Sequence, residues 1–228
     1  MDYKKILYYT AYISLYLQLI TGAIGSLGLF IKLKPEDQIL LDVLKLETIV
    51  QAVEFVFYYW LVSNFDKLPN NVTIIRYIDW NITTPLMLIS TVMYMKYNTS
   101  KDKKEDLQTE DVIKEDKENI GKVVFYNFLM LLFGVLGEMD IVSKMISFPL
   151  GFLFFYLSFK EIYDNYVGDN IINKYLFNFL FVTWSLYGVA ALFNFNLKNI
   201  SYNILDLISK NFYGLFIFYV IYQKSLNY

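Results

Sequence analysis

The sequence contains no cysteine and no histidine among its 228 residues. The lack of cysteine excludes disulfide bonds, thiolate metal sites and cysteine nucleophiles. The lack of histidine removes the commonest metal ligand, the commonest general base and the usual pH switch. Proton chemistry in this chain must therefore run on carboxyl groups, lysine, tyrosine or water, and we predict neither a metal site nor an enzyme.

The net charge is also small, only −2, and it gives no indication of a nucleic-acid partner. Apolar surface, by contrast, is in excess: 56% of the residues are hydrophobic and 19% are aromatic. A soluble domain of this size could not bury so much apolar surface. We therefore predict an integral, multi-pass membrane protein whose main partner is the lipid bilayer.

A transmembrane helix needs about 20 predominantly apolar residues. Seven candidate spans of this kind, numbered in chain order, are 6–31, 39–62, 74–95, 123–140, 142–160, 173–196 and 201–223. The segment 96–122 is dense in Lys, Asp and Glu and is expected to be a solvated loop, helical at most in part. The predicted fold class is an all-α membrane protein, a seven-transmembrane-helix bundle forming a single domain over residues 1–228.

Lysine and arginine predict the orientation, because cytoplasmic loops carry an excess of them. If the N-terminus is outside, the outer segments hold five lysines, Lys4, Lys5, Lys67, Lys144 and Lys198. The inner segments then hold twelve, namely Lys32, Lys34, Lys96, Lys101, Lys103, Lys104, Lys114, Lys117, Lys122, Lys160, Lys174 and Lys224. We therefore predict an outside N-terminus and a cytoplasmic loop at 96–122.

Ionisable side chains inside a bilayer are costly and usually functional. Lys45, Glu138 and Asp140 lie near span ends, where lysines reach the interface and carboxylates pair. The deeper ionisable residues are Glu47, Glu54, Arg76, Asp79, Asp206 and Lys210. Their depth marks them as candidates for function.

Lys210 lies near the middle of the seventh span, too deep to reach either interface. Asp206 precedes it by four residues and shares its helix face. Arg76 and Asp79 lie three residues apart on one face of the third span. These four residues make a near-neutral cluster of the kind that a buried cation requires, although a purely structural ion-pair network would have the same composition.

Two motifs resemble those of a known family. The third span contains Arg76-Tyr77-Ile78-Asp79-Trp80 followed by Thr83-Thr84-Pro85-Leu86, and the seventh contains Asp206-Leu207-Ile208-Ser209-Lys210. They resemble the third- and seventh-helix signatures of microbial (type 1) rhodopsins. Trp184 and Tyr187 resemble the aromatic pair that sandwiches retinal, although Gly188 replaces the proline usual after that tyrosine. Met130 and Gly134 resemble the pair that packs beside the retinal ring.

The resemblance implies a cofactor, all-trans retinal, bound as a covalent Schiff base to Lys210. It implies that the pocket is lined by Trp80, Thr84, Met130, Gly134, Trp184 and Tyr187. It implies further that the counterion and proton-transfer group is Asp79, Asp206, Arg76 and Thr83. The physics agrees, because a lysine that becomes an iminium needs a dry pocket with anions beside it.

Three positions on the third span usually sort this family by activity, and here they hold Asp79, Thr83 and Ser90. Asp79 argues against a chloride pump, and Asp79 with Thr83 does not match the sodium pumps. Fast outward proton pumps carry a carboxyl group where this chain has Ser90, which cannot hold a transferable proton. Known inward pumps usually lose the seventh-helix aspartate, which is Asp206 here.

The second span resembles that of channelrhodopsins. Glu47 and Glu54 are seven residues apart, so they share one helix face, and an acidic stripe facing a bundle interior can line a cation path. Asn211 also matches a channelrhodopsin position, and Ser14 is a candidate third partner. A structural alternative is that the glutamates pair with Lys45 or bond to serines and tyrosines of neighbouring helices.

In size the chain resembles the short viral rhodopsins of giant viruses. The expected function is a light-gated cation channel for small cations or protons, closed by a contact between Glu47, Asn211 and Ser14. The alternatives are a weak outward proton pump and a non-transporting photosensor. The expected location is a host cell membrane, and the apolar outer surface is compatible with a homo-oligomer.

Overall fold

The computed structural model describes residues 2–67, 72–103 and 107–226. Its α-helices are α1 (Tyr3–Gly28), α2 (Ile39–Ser63), α3 (Val72–Lys103), α4 (Thr109–Glu115), α5 (Lys117–Glu138), α6 (Lys144–Ile162), α7 (Ile171–Ala190), α8 (Phe195–Asp206) and α9 (Phe212–Ser225). Two π-helical segments extend them: Tyr163–Val167 follows α6, and Leu207–Asn211 joins α8 to α9 in one continuous rod. The described residues contain no β-strand.

In the described residues, seven long helical elements close into a ring: α1, α2, α3, α5, α6, α7 and the continuous α8–α9 rod. Along the chain, α1 packs on α2, α2 on α3, α3 on α5, α5 on α6, α6 on α7 and α7 on α8, while α8 and α9 return to α1. The predicted all-α bundle of seven long helices is therefore confirmed. By length and composition alone, four segments are apolar enough to cross a membrane, namely Tyr3–Gly28, Lys117–Glu138, Lys144–Val167 and Phe195–Ser225.

The predicted sixth span, 173–196, is wrong at its end. The helix α7 ends at Ala190, and α8 begins at Phe195. Between them Asn194 acts as an N-cap, its side chain accepting a hydrogen bond from the Leu197 backbone N–H at 3.1 Å. The apolar residues of this short turn continue the hydropathy signal, whereas a cap is a feature of geometry.

The described parts of the segment 96–122, residues 96–103 and 107–122, are largely helical instead of forming a solvated loop. The helix α3 runs eight residues past its predicted end, to Lys103, and α4 and α5 fill much of the remainder. Val112 on α4 is completely buried, and the Thr109 hydroxyl donates to Asp42 at 2.7 Å. Composition could not show this, because the burial of one apolar residue is enough to hold a short helix whose other residues are mostly charged. We call this end of the bundle the α4 side.

The inner face of α1 is small and polar where it passes the centre of the bundle. Its buried residues are Leu7, Ala11, Ser14, Gln18, Thr21, Gly25 and Gly28. A Cβ atom added at Gly28 would lie 2.7 Å from the side chains of Leu44 and Phe218, so the glycine permits a close approach to α2 and α9. Close packing brings the polar side chains of α1 into contact with those of its neighbours.

Candidate functional site

Lys210 lies in the π-helical segment and is almost completely buried. Its Nζ lies 3.2 Å from Asp79 Oδ2 on α3 and 3.5 Å from Asp206 Oδ1 at the end of α8. It also donates a hydrogen bond to Glu54 Oε1 on α2. The sequence predicted the first two contacts, but it assigned Glu54 only to an ion path. Glu54 is thus a third carboxylate on Lys210.

Asp206 connects Lys210 to a second cation. Arg76 Nη1 lies 3.3 Å from Asp206 Oδ2, and the Tyr58 and Tyr187 hydroxyls donate to the same carboxylate at 2.6 and 2.7 Å. Arg76 also donates through Nε to Asn199 at 3.0 Å. The fixed donors around it make Asp206 a structural anion of the site.

The carboxyl group of Asp79 differs from the other two in its surroundings. Both oxygens of Glu54 accept hydrogen bonds, from Lys210 and from Gln18, whereas Asp79 Oδ1 has no partner among the described residues. The cluster of three carboxyl groups with Lys210 and Arg76 would carry a net negative charge if fully ionised, which is costly when buried. Asp79 has the free oxygen that can take up a proton.

An apolar cavity of about 160 Å³ opens beside Lys210. All six predicted pocket residues line it, namely Trp80, Thr84, Met130, Gly134, Trp184 and Tyr187. The rings of Trp80 and Tyr187 meet edge to face with centroids 5.6 Å apart. Lys210 lies on a wall that is mostly apolar and aromatic, and Glu138 and Lys144 also line the cavity. These walls fit an elongated apolar molecule that bonds to an amine.

The packing around Gly188 explains why this chain has a glycine where a proline usually follows the tyrosine. A Cβ atom at Gly188 would lie 2.3 Å from the Phe152 ring, so that ring occupies the space a side chain would need. At Gly134, likewise, a Cβ atom would lie 2.6 Å from the Tyr77 hydroxyl. Both glycines border the cavity, and their lack of a side chain allows aromatic rings to shape its wall.

Comparison with known proteins decides the family. A sequence model described as bacteriorhodopsin-like protein matches residues 10–224. The chain belongs to the bacteriorhodopsin-like family. This rhodopsin is 23% identical over 196 residues to the green-light absorbing proteorhodopsin of Gamma-proteobacterium EBAC31A08, covering 78% of this chain and 73% of that one.

Solved structures agree with this assignment. The viral rhodopsin OLPVRII superposes with a TM-score of 0.83 and 27% identity, covering 95% of this chain and 98% of that one. The Exiguobacterium sibiricum rhodopsin shares the fold with a TM-score of 0.79 and 17% identity, over 98% of each chain. The predicted microbial rhodopsin with a likeness to viral rhodopsins is confirmed. It is a multi-pass membrane protein of a family whose members bind retinal.

The predicted contact between Glu47, Asn211 and Ser14 is wrong. In this rhodopsin the Ser14 hydroxyl donates to the Asn203 backbone carbonyl at 3.2 Å, and Glu47 contacts Ser90. As the structural alternative predicted, Glu47 is bonded to a serine, whereas Lys45 pairs with Asp42 at 2.6 Å. The three residues are separated because each faces a different neighbouring helix.

Asn211 instead belongs to a buried amide network that the sequence did not suggest. Its Nδ2 lies 2.6 Å from the Thr21 hydroxyl and 3.1 Å from the side-chain oxygens of Gln18 and Gln51, so it donates to two of these three acceptors at a time. Gln18 Nε2 donates in turn to Asn211 Oδ1 at 2.9 Å and to Glu54. This network links α1, α2 and the π-helical segment directly to the Lys210 cluster.

The two threonines of the third-helix motif bond to their own helix. The Thr83 hydroxyl donates to the Asp79 backbone carbonyl at 3.0 Å, so it does not bond to the Asp79 carboxyl group. The Thr84 hydroxyl donates to the Trp80 carbonyl at 2.7 Å and accepts from Asn127 at 2.8 Å. A role of Thr83 in proton transfer stays a prediction, and Asn127 is a pocket neighbour that the sequence did not suggest.

The carboxylates near the span ends behave differently from one another. Glu138 pairs with Lys198, whose Nζ lies 2.6 and 2.8 Å from the two carboxylate oxygens. Asp140 has a positive φ of 55° and forms the turn that leads into α6. The expected pairing of a carboxylate at this end is confirmed for Glu138.

Proposed function

We propose that this rhodopsin is a light-gated cation channel, not an enzyme, with retinal attached to Lys210. The observation that supports the proposal is a line of buried polar side chains along the inner faces of α1, α2 and the α8–α9 rod. From the N-terminal end of the bundle toward the α4 side, the line consists of Asn199, Asn203, Ser14, Tyr58, Glu54, Gln18, Asn211, Thr21, Gln51 and Glu47. Its amide, hydroxyl and carboxylate oxygens are ligands that replace the water around a cation.

Buried polar groups in a membrane interior are costly unless they are paired or serve a function. A conducting path must be polar along its length. The line continues on both sides of Lys210, toward Asn199 and toward Glu47. With the predicted orientation, it would connect the outside to the cytoplasm of a host cell.

The closing contact in this proposal is formed by Gln18, Glu54 and Asn211. Glu54 is held by Lys210 on one side and by Gln18 on the other. When bound, retinal would supply a light-driven change of shape at the Lys210 nitrogen. Transfer of the proton from that nitrogen to Asp79 removes the positive charge that holds Glu54. Gln18 then loses a fixed partner, and water can enter between α1, α2 and the π-helical segment.

Electrical recording from cells that express the protein tests the proposal. A channel current reverses its sign when the cation gradient is reversed. An outward proton pump, the second candidate, keeps the sign of its current at zero voltage and zero gradient. The contact between Glu47 and Ser90 favours that candidate, because it returns a carboxyl group to the position of the missing third-helix carboxyl. If neither kind of light-induced current is recorded, the remaining candidate is a photosensor.

Replacement of Asp79 by asparagine should slow the departure of the proton from the Lys210 nitrogen at least tenfold, about 1.4 kcal/mol in the barrier. The reason is that Asp79 has the free carboxylate oxygen that can accept the proton. The absorption band should also shift to the red, because an anion beside the chromophore's positive end is lost. Flash spectroscopy measures both effects. If neither changes, and Asp206→Asn changes both, then Asp206 is the acceptor.

A further inference from the structure

Asn173, near the start of α7, is completely buried and joins three elements at the α4 side of the bundle. Its Oδ1 accepts a hydrogen bond from Asn98 Nδ2 at 2.9 Å. Its Nδ2 lies 3.0 Å from the Met95 carbonyl oxygen, 3.1 Å from the Tyr166 carbonyl oxygen and 3.4 Å from the Thr99 hydroxyl, so it donates to two of these three acceptors at a time. One amide therefore connects α7 to α3 and to the π-helical segment that follows α6.

The backbone at this junction depends on the Asn173 side chain. Tyr166 is the next-to-last residue of the π-helical segment, and the chain turns at Gly168, where φ is 53°. Carbonyl groups in the last turn of a helix have no partner further along the same helix. The Asn173 amide supplies a donor for the Tyr166 carbonyl. Because a buried carbonyl without a donor is costly, removing the amide would destabilise this junction unless water replaced it.

Aromatic contacts follow Asn173 along α7. The ring of Phe181 stacks on that of Phe155 with centroids 5.2 Å apart, and Trp184 meets Phe159 edge to face at 5.6 Å. In a bilayer such contacts have no hydrophobic driving force, because lipid tails are as apolar as the side chains. They are also not directional, whereas hydrogen bonds require a fixed geometry. The Asn173 amide therefore provides the specific attachment of this end of α7.

The same helix borders the ligand cavity. Trp184 and Tyr187 line the cavity, and the Tyr187 hydroxyl lies 2.7 Å from Asp206 Oδ1 and 2.8 Å from Ser209 Oγ. Asn173 precedes Trp184 by eleven residues, about 16 Å along the helix. A change in the shape of a ligand at Trp184 would therefore act on a helix that hydrogen bonds hold near both ends, at Tyr187 and at Asn173.

We propose that Asn173 is a positioning residue, a latch that holds α7 on α3 and on the π-helical segment in the dark and releases it after light absorption. When the latch opens, the Asn98 amide and the Met95 and Tyr166 carbonyls exchange their contacts with Asn173 for contacts with water. The open state is therefore hydrated at the α4 side, and its lifetime depends on how fast the latch forms again. This inference rests on the proposed attachment of retinal to Lys210, and it applies to a channel and to a pump alike.

The absence of cysteine from the chain allows a direct test, because an introduced cysteine is the only thiol. Leu176 lies one turn after Asn173 on α7 and is 7% exposed. In full-length Leu176→Cys, a water-soluble thiol reagent should react at least tenfold faster in continuous light than in the dark. Adding Asn173→Leu should raise the dark rate at least tenfold, because leucine offers the buried carbonyls no donor. Ile172→Cys, at an exposed position of the same helix, should react equally fast in light and in the dark.

The lifetime of the light-induced state is a second readout. Asn173→Leu should keep the dark absorption band, since Asn173 lies outside the cavity lining, and should return to the dark state at least tenfold more slowly after a flash. Asn98→Leu removes one partner and leaves the Nδ2 donors, so it should change both readouts in the same direction by a smaller factor. Asn165→Leu, at an exposed asparagine of the π-helical segment, is the matched control and should change neither.

Equal reactivity of Leu176→Cys in light and in the dark would overturn the inference, as would an Asn173→Leu variant in which both readouts match those of wild type. If Asn173→Leu forms no pigment, Asn98→Leu decides, and an unchanged dark reactivity in that variant overturns the latch. A wild-type chain that forms no pigment refutes the attachment of retinal, and with it the response of the latch to light. A pigment without photocurrent refutes only the channel.

Discussion

Replacing Lys210 by alanine is expected to give a chain that inserts into the membrane and forms no coloured pigment with retinal. The amine of Lys210 lies on the wall of the aromatic cavity beside three carboxylates, and the bond to retinal needs that amine. Removing a buried cation from its partners costs roughly 3–5 kcal/mol, so yield should fall as well. The measurement is the visible absorption band of purified protein after addition of retinal.

Two further variants distinguish loss of the bond to retinal from loss of correct folding. Lys210→Arg keeps the positive charge in the cluster but cannot form the covalent bond, so it should be well expressed and colourless. Lys198→Ala removes the other buried lysine of the described residues, one that pairs with Glu138 instead of facing the cavity centre, and should still form pigment. A visible band in Lys210→Arg without an added amine would contradict the assignment of Lys210.

Glu54→Gln should form a pigment with a red-shifted band and conduct at least tenfold less photocurrent than wild type. Glu54 is completely buried, contacts both Lys210 and Gln18, and supplies negative charge in the middle of the polar line. Glutamine keeps its shape but loses the charge that attracts a cation. Photocurrent normalised to the amount of pigment measures the effect.

Asp42→Asn is the matched control, because it removes a carboxylate from the same helix at a partly exposed position. It should leave the normalised photocurrent within about twofold of wild type, since screened surface charges act weakly. Full current in Glu54→Gln would show that cations do not pass Glu54, and the proposed closing contact would then have to be abandoned.

The sequence predicted the residues of the Lys210 cluster better than their partners. Lys210, Asp79 and Asp206 stood out because a charged residue deep in an apolar span is costly and usually functional. Gln18 did not stand out, since one amide in an apolar helix changes hydropathy little. Its role depends on how closely α1 approaches α2, which is set by Gly25 and Gly28 and by the side chains they meet.

The pairing of Glu47 is a second contact between helices that the sequence could not predict. The seven-residue spacing correctly placed Glu47 and Glu54 on one face of α2, and both are buried. Spacing along one helix says nothing about which residue of the next helix stands at the same depth. Asn211 and an unspecified serine of a neighbouring helix were both candidates by sequence, and only the packing of α2 against α3 selects Ser90.

The π-helical segment at Leu207–Asn211 gives the side chains of the α8–α9 rod an orientation that they would not have in a regular α-helix. In an α-helix, residues five apart point about 140° away from each other, whereas in π-helical geometry they stand nearly one above the other. Asp206 and Asn211 are five apart, so one inserted residue aligns the acid that binds Arg76 with the amide that binds Gln18. Regular α-helical geometry over the same residues would turn α9 by about 100° relative to α8, and the side chains beyond Lys210 would face different neighbours.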